Sequence, residues 1–300
     1  MEKKLVSVII PVYNGEKTIS RCLDSALRQT YSNSEVIVVD NNSADNTKKI
    51  IEGFQKKYKN LFYFYEPIKS VGRARNLGIK NSKGEILCFT DSDCVLPLNW
   101  IENLTKPIIS GEEEIVAGSG KNLVENYWTK QIQKRDYLLE QRISKNDYID
   151  NLDGKNFAAD GDIIRKIMFD PYIKMMDDLD LYIRIRLKKR SKVRFLPEVK
   201  VGHYHRSSMI KFTKMIFIRG FWAFNIYKKY NEEEKKNIVM FESFSFKKNV
   251  IFPFWLAKQI LTKNPADSFY ITISELSWRA GIVWAILKNI KTDSPKNTNG

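Results

Sequence analysis

Two hydrophobic periods alternate through the first hundred residues of the chain. Val6–Val12 is an unbroken apolar and β-branched run, the pattern of a strand buried on both faces. Residues 16–29 follow with Ile19, Leu23, Ala26 and Leu27 at helical spacing. The same reading predicts strands over 35–40, 61–65 and 85–90. Helices are predicted over 45–58, with Ile50, Ile51 and Phe54 inward, and over 72–81. Strand and helix in alternation imply right-handed βαβ units, so the expected fold class is α/β, a mostly parallel sheet flanked by helices. Beyond residue 110 the pattern loosens. A strand is expected near 114–117, a helix over 127–143, and a strand over 193–201 whose start is made irregular by Pro197. From Met209 onward the chain is basic and rich in aromatic residues. These shifts divide the chain into a domain over 1–205, a helical C-terminal extension over 206–292 and a tail over 293–300.

In a doubly wound sheet, ligands bind outside the carboxyl ends of the strands. That rule selects three polar segments: Tyr13-Asn14-Gly15-Glu16, Asp40-Asn41-Asn42-Ser43 and Asp91-Ser92-Asp93. In the third, two carboxylates one residue apart offer hard oxygen ligands suited to Mg²⁺ or Mn²⁺. The plainer alternative makes Asp91 the cap of the helix that includes Trp100. Asp40 can accept hydrogen bonds from a base or a ribose hydroxyl, or simply close an Asx-turn with the residues after it. Asp177 and Asp178 repel one another, which holds one of them nearer neutrality as a general base. They also read as acids in the first turn of a helix whose far end carries Arg184 and Arg186, while alternation over 179–187 leaves a strand open. His203 and His205, the only histidines, share a face if extended. They suit a metal or phosphate contact, but no cysteine pair completes a zinc site.

Composition narrows the classes. With 43% hydrophobic and 28% charged residues, the 300-residue chain is neither disordered nor fibrous. No apolar run approaches the roughly 18 residues of a membrane span. The short apolar stretch after Lys4 has no cleavage site behind it, so no secretory leader is expected. Cys22, Cys88 and Cys94 form neither a disulfide framework nor a zinc spacing, and a reducing cytoplasm is the expected compartment. The net charge of +15 is uneven: residues 201–300 hold 16 basic against 7 acidic side chains. Such an excess suits an anionic partner. Basic residues interleaved with aromatics over 211–229 would line a single-strand groove, yet no nucleic-acid motif accompanies them, and nucleic acid is not an expected partner. The apolar segments 252–256 and 280–287 are too short to span. Two readings stand level: peripheral contact with the inner face of the cell membrane, or packing within a helical subdomain.

Taken in order, these blocks resemble the family 2 glycosyltransferases of GT-A fold. The opening is Val8-Ile9-Ile10-Pro11-Val12-Tyr13-Asn14-Gly15-Glu16, followed by Val38-Val39-Asp40-Asn41-Asn42-Ser43. Gly72-Arg73-Ala74-Arg75-Asn76, Asp91-Ser92-Asp93 and Asp177-Asp178-Leu179-Asp180 complete the series. The resemblance implies transfer of a single sugar, with inversion, from a nucleotide-diphosphate sugar (UDP-sugar favoured) to a glycan or lipid-linked acceptor. It implies that Pro11, Tyr13, Glu16 and Asp40 line the nucleotide pocket, with Arg75, Asp91 and Ser92 beside it. Asp91, Asp93 and His205 (or His203) would lie at a Mn²⁺ or Mg²⁺ ion, and Asp178 would be the base. Asp177 stands where the family has Glu, and the block 154–160 keeps Asn156 but lacks an Arg-Arg pair. The Q-x-x-R-W motif of processive synthases is absent. A nucleotidyltransferase is the rival enzyme class. It would carry a Gly-rich basic loop after the first strand, of which Asn14-Gly15-Glu16-Lys17 is a poor version.

Overall fold

The computed structural model describes residues 3–189, 191–204, 208–236, 238, 241, 244 and 246–293. His205 and the expected tail beyond residue 293 lie outside them. The chain divides into two compact units, residues 1–125 with 135–205, and residues 126–134 with 206–300.

The first unit is built on one mixed sheet. Its elements in chain order are β1 (Val6–Val12), α1 (Ile19–Leu27), β2 (Ser34–Asp40), α2 (Thr47–Gln55), β3 (Leu61–Tyr65), α3 (Val71–Asn81), β4 (Ile86–Phe89), β5 (Cys94–Val95), α4 (Trp100–Ile109) and β6 (Ile115–Asn122). Helix α5 (Tyr127–Ile143) is shared between the units; β7 (Ser144–Lys145), β8 (Tyr148–Ile149), β9 (Phe157–Asp160), α6 (Gly161–Ile167), α7 (Asp177–Lys189) and β10 (Arg194–His203) follow. The strand order is β3-β2-β1-β4-β9-β6-β10-β8-β7, with β5 paired to β10. Strand β1 lies between β2 and β4, parallel to both, and all seven of its residues are buried. Val8, Ile10, Val36 and Val38 pack on Ile19, Leu23, Ile51 and Trp100 on one face; Ile37 and Val39 pack on Ala74 of α3 on the other. Each such side chain contributes about 1.5–3 kcal/mol when fully buried, which is why the unbroken apolar runs become the central strands.

Beyond β4 the sheet departs from simple alternation. Strand β9 runs antiparallel between β4 and β6. The pairing of β10 with β6 shifts register between Leu196 and Lys200, around Pro197, whose missing N–H cannot serve a ladder. The segment from Asp177 is a helix, and the period-two reading of it gives way. Leu179, Leu181, Tyr182, Ile183 and Ile185 are all buried, so apolar residues surround the helix and mimic alternation.

The second unit is helical: the start of α5, then α8 (Met209–Lys229), α9 (Glu232–Lys236), α10 (Phe246–Thr262) and α11 (Pro265–Asp293). Ile132, Phe212, Ile216 and Tyr270 form its core, with Trp128 and Trp278 packed against them. No helix of the described residues is long and apolar enough to cross a membrane.

Candidate active site

Parallel strands finish on one edge, so the register of β1 decides what meets there. Val12 pairs with Asp40 and Ile9 with Phe89, which brings the loops after β1, β2 and β4 together. Because β9 is antiparallel and Phe157 pairs with Phe89, the loop before β9, residues 153–156, arrives at this same edge. The end of β10 joins it through the pairing of His203 with Cys94.

Arg75, on α3 and almost fully buried, is the centre of the cluster. Its Nη1 donates to Asp177 Oδ2 at 2.6 Å and its Nη2 to Asp91 Oδ1 at 2.8 Å; Nη2 also reaches the Gly154 carbonyl at 3.3 Å. Burial works against the guanidinium's charge, but Asp177, Asp91 and Asp178 outweigh it and hold Arg75 protonated beyond its ordinary range. Three segments distant in sequence are thereby tied to one cation. Asp91 is therefore not the cap of α4, at whose N-terminus Asn99 stands instead.

The two acids that open α7 have different surroundings. Asp177 is buried against Arg75. Asp178 is half-buried and accepts the Gly154 N–H on Oδ2 and the Leu179 N–H on Oδ1, each at 2.9 Å. Asp93 is half-exposed, and its Oδ2 lies 3.3 Å from His203 Nε2. Burial acts to raise its pKa, but the bond to His203 prevails and holds the Asp93 carboxyl below its usual range. Asp153 is held low in the same manner, burial being overcome by the ammonium of Lys155 in contact with it.

The residues expected at the nucleotide pocket all lie at or near this edge. Asp40 is buried; Oδ1 accepts the N–H of Ser43, three residues on, at 2.9 Å, a local turn contact one residue longer than an Asx-turn, and Oδ2 accepts the Tyr63 hydroxyl at 3.2 Å. Tyr13 is 49% exposed, with the Lys69 ammonium 4.4 Å over its ring and 2.6 Å from its hydroxyl. Glu16 receives hydrogen bonds from the backbone and side chain of Asn46. Pro11 sits in β1 on the side that faces β4, past the last β4 pair, so its lack of an N–H costs no ladder bond. Ser92 lies beside Gly15. Among the described residues no group of three or more His, Cys, Asp or Glu side chains is assembled to hold a metal ion.

Asp153, Lys155 and the Gly154 backbone were not legible as site residues. The block 154–160 was visible, but it joins the edge only because β9 reverses direction. Asn156, in that block, is structural: its Oδ1 accepts the Trp100 indole N–H at 2.8 Å, and its Nδ2 donates to the Ser119 and Val199 carbonyls.

A helix-flanked sheet of this order, with acidic loops gathered at the carboxyl edge, is the GT-A architecture of sugar-transferring enzymes. The sequence profile of Glycosyl transferase family 2 matches residues 7–170, and the chain belongs to that family. It is 43% identical over 117 residues to glycosyltransferase AglE of Haloferax volcanii, a match covering 38% of each chain. To the UDP-Glc:alpha-D-GlcNAc-diphosphoundecaprenol beta-1,3-glucosyltransferase WfgD of Escherichia coli it is 40% identical over 111 residues, 37% of this chain and 42% of that one. The first curated relatives are matched over only 16–41% of their own lengths. In fold, the mannosyltransferase PcManGT from Pyrobaculum calidifontis, solved with GDP-Man and Mn²⁺, superposes with a TM-score of 0.70 at 20% identity, covering 98% of this chain and 89% of that one. TarS of S. aureus, solved with UDP-GlcNAc, gives 0.57 at 17% identity, covering 95% and 92%.

Proposed function

We propose that this enzyme transfers a single sugar, with inversion, from a nucleotide-diphosphate sugar, a UDP-sugar by preference, to a hydroxyl of a glycan or lipid-linked acceptor. The observation that carries the reading is the bridge of Arg75 between Asp91 and Asp177. It holds the donor-side aspartates and the acid pair of α7 around one cation at the ligand edge.

Asp177 is neutralised by Arg75 and buried, which leaves Asp178 as the base. An acceptor O–H gives its proton to Asp178 as its oxygen forms the bond to the anomeric carbon. The bond from that carbon to the diphosphate breaks on the opposite face, and a nucleoside diphosphate leaves. Asp40, through the lone pairs that Ser43 and Tyr63 do not use, accepts from the nucleoside, and the exposed ring of Tyr13 offers a face to the base. The Asp93 carboxylate, a hard oxygen donor suited to Mn²⁺ or Mg²⁺, would hold such an ion, with the His203 imidazole beside it. Such an ion, when bound, offsets charge on the departing diphosphate. The UDP-glucose and UDP-GlcNAc in the names of WfgD and the TarS complex, and the Mn²⁺ of the PcManGT complex, support this reading. The three thiols, all buried and unpaired, suit a cytoplasmic setting.

The test is a panel of nucleotide sugars with Mn²⁺ or Mg²⁺, read by released product. Nucleoside diphosphate is expected; pyrophosphate would instead mark a nucleotidyltransferase. Asp178→Asn should lower turnover by roughly 10²–10⁴-fold while nucleotide binding persists in a thermal-shift measurement. Near-normal turnover in that variant refutes the base.

A further inference from the structure

Within the second unit, α8 and α11 meet backbone to backbone. A Cβ on Gly220 would overlap the Trp278 carbonyl, and one on Gly281 the Phe217 carbonyl, so only glycine allows this approach. The side of α11 turned to α8 carries Tyr270, Ser274, Gly281 and Ala285, all buried. At 100° per residue, Phe269, Leu276, Val283 and Leu287 fall on the opposite side, and each is 50–54% exposed. Helix α10 has the same two-sided character. Phe252, Leu256 and Gln259 are half-buried along one side, where the Arg279 guanidinium of α11 lies 3.4 Å over the Phe252 ring. On the other side Phe254 and Leu261 are 77% and 84% exposed, with Trp255 beside them.

A helix at a protein surface ordinarily buries one apolar stripe and shows water a polar one. Here the apolar stripe toward α8 is satisfied, and a second one faces water. Scattered apolar side chains need no partner, but seven large ones exposed on the outward sides of two consecutive helices exceed such scatter and mark an interaction surface. The surrounding charge selects the partner. Lys258 stands exposed between Phe254 and Leu261, Lys263 closes the helix, and residues 201–300 carry 16 basic against 7 acidic side chains. A second copy would bring the same positive charge to the contact, whereas anionic headgroups would neutralise it. Trp255 and Trp284, both exposed, are of the residue type that favours a bilayer's boundary.

We propose that α10 and the outer side of α11 form a docking surface for the interface of a lipid bilayer with anionic headgroups. Phe254, Leu261, Leu276 and Val283 enter the acyl boundary, and Lys258 and Lys263 remain among the phosphates. This surface lies wholly in the second unit and is independent of the chemistry proposed for the first.

The test is flotation of the full chain with vesicles of phosphatidylcholine alone or containing phosphatidylglycerol. Co-flotation is expected with the anionic vesicles, weakening as salt approaches about 0.5 M. Replacing Phe254, Leu261, Leu276 and Val283 together by serine should lower the bound fraction at least about tenfold, with circular dichroism and Tm preserved. Quenching of tryptophan fluorescence by brominated lipid tests the unaltered chain, so the outcome does not depend on the variant's folding. Failure of the unaltered chain to float with anionic vesicles, or undiminished flotation of a folded quadruple variant, overturns the proposal. So does a dimer in sedimentation that the four substitutions split while no lipid binding occurs, which would assign the surface to self-association.

Discussion

Replacing Arg75 by methionine removes the cation from beneath Asp177 and leaves a side chain of similar length. Asp177, only 6% exposed at its side chain, then keeps a buried carboxylate without its partner at 2.6 Å. Breaking a buried pair from one side costs about 3–5 kcal/mol, because the remaining charge is neither paired nor hydrated. Asp91, more than a third exposed, can turn to water and adds little to that loss. Urea denaturation of Arg75→Met should therefore show a loss of about 3–5 kcal/mol, carried by Asp177. Adding Asp177→Leu should recover most of it, since replacing both partners with apolar groups is close to neutral. Arg75→Lys should lose activity even where stability holds, because one ammonium cannot present two donors in the fork that spans Asp177 and Asp91. A loss below about 1 kcal/mol in Arg75→Met, or no recovery in the double variant, would refute the view that the cluster is held by this charge.

Cys22, Cys88 and Cys94 are buried, and burial pushes all three thiols up. A thiol-specific reagent should accordingly label none in the native chain and three after unfolding. Asn156→Ala should cost about 2–4 kcal/mol in denaturant, since it strands the Trp100 N–H and two carbonyls in the core. Asp267 is held below its ordinary 3.8 by hydrogen bonds from Lys134 and Gln131. Its contribution is complete above that value and fades as pH falls through the lowered one, so Asp267→Asn should flatten the acid limb of a stability profile and leave pH 7 to 8 unaffected by titration.

The pattern of apolar residues alone determined the first half of the sheet. Val6–Val12 and the run ending at Asp40 admit only buried strands, and once the strands are parallel their acidic ends must share an edge. That Asp40, Asp91 and Asp93 follow strands ending on one edge is therefore legible in the sequence. Tertiary structure decided what no local period encodes. The reversal of β9 brought residues 153–156 to this edge, and the position of one guanidinium on α3 gave the adjacent acids Asp177 and Asp178 different surroundings. The same limit applies in the helical unit, where the sequence shows apolar residues all around α11. Only the packing of Gly220 and Gly281 reveals which side is already covered, because a helix records its own periodicity but not the neighbour it meets.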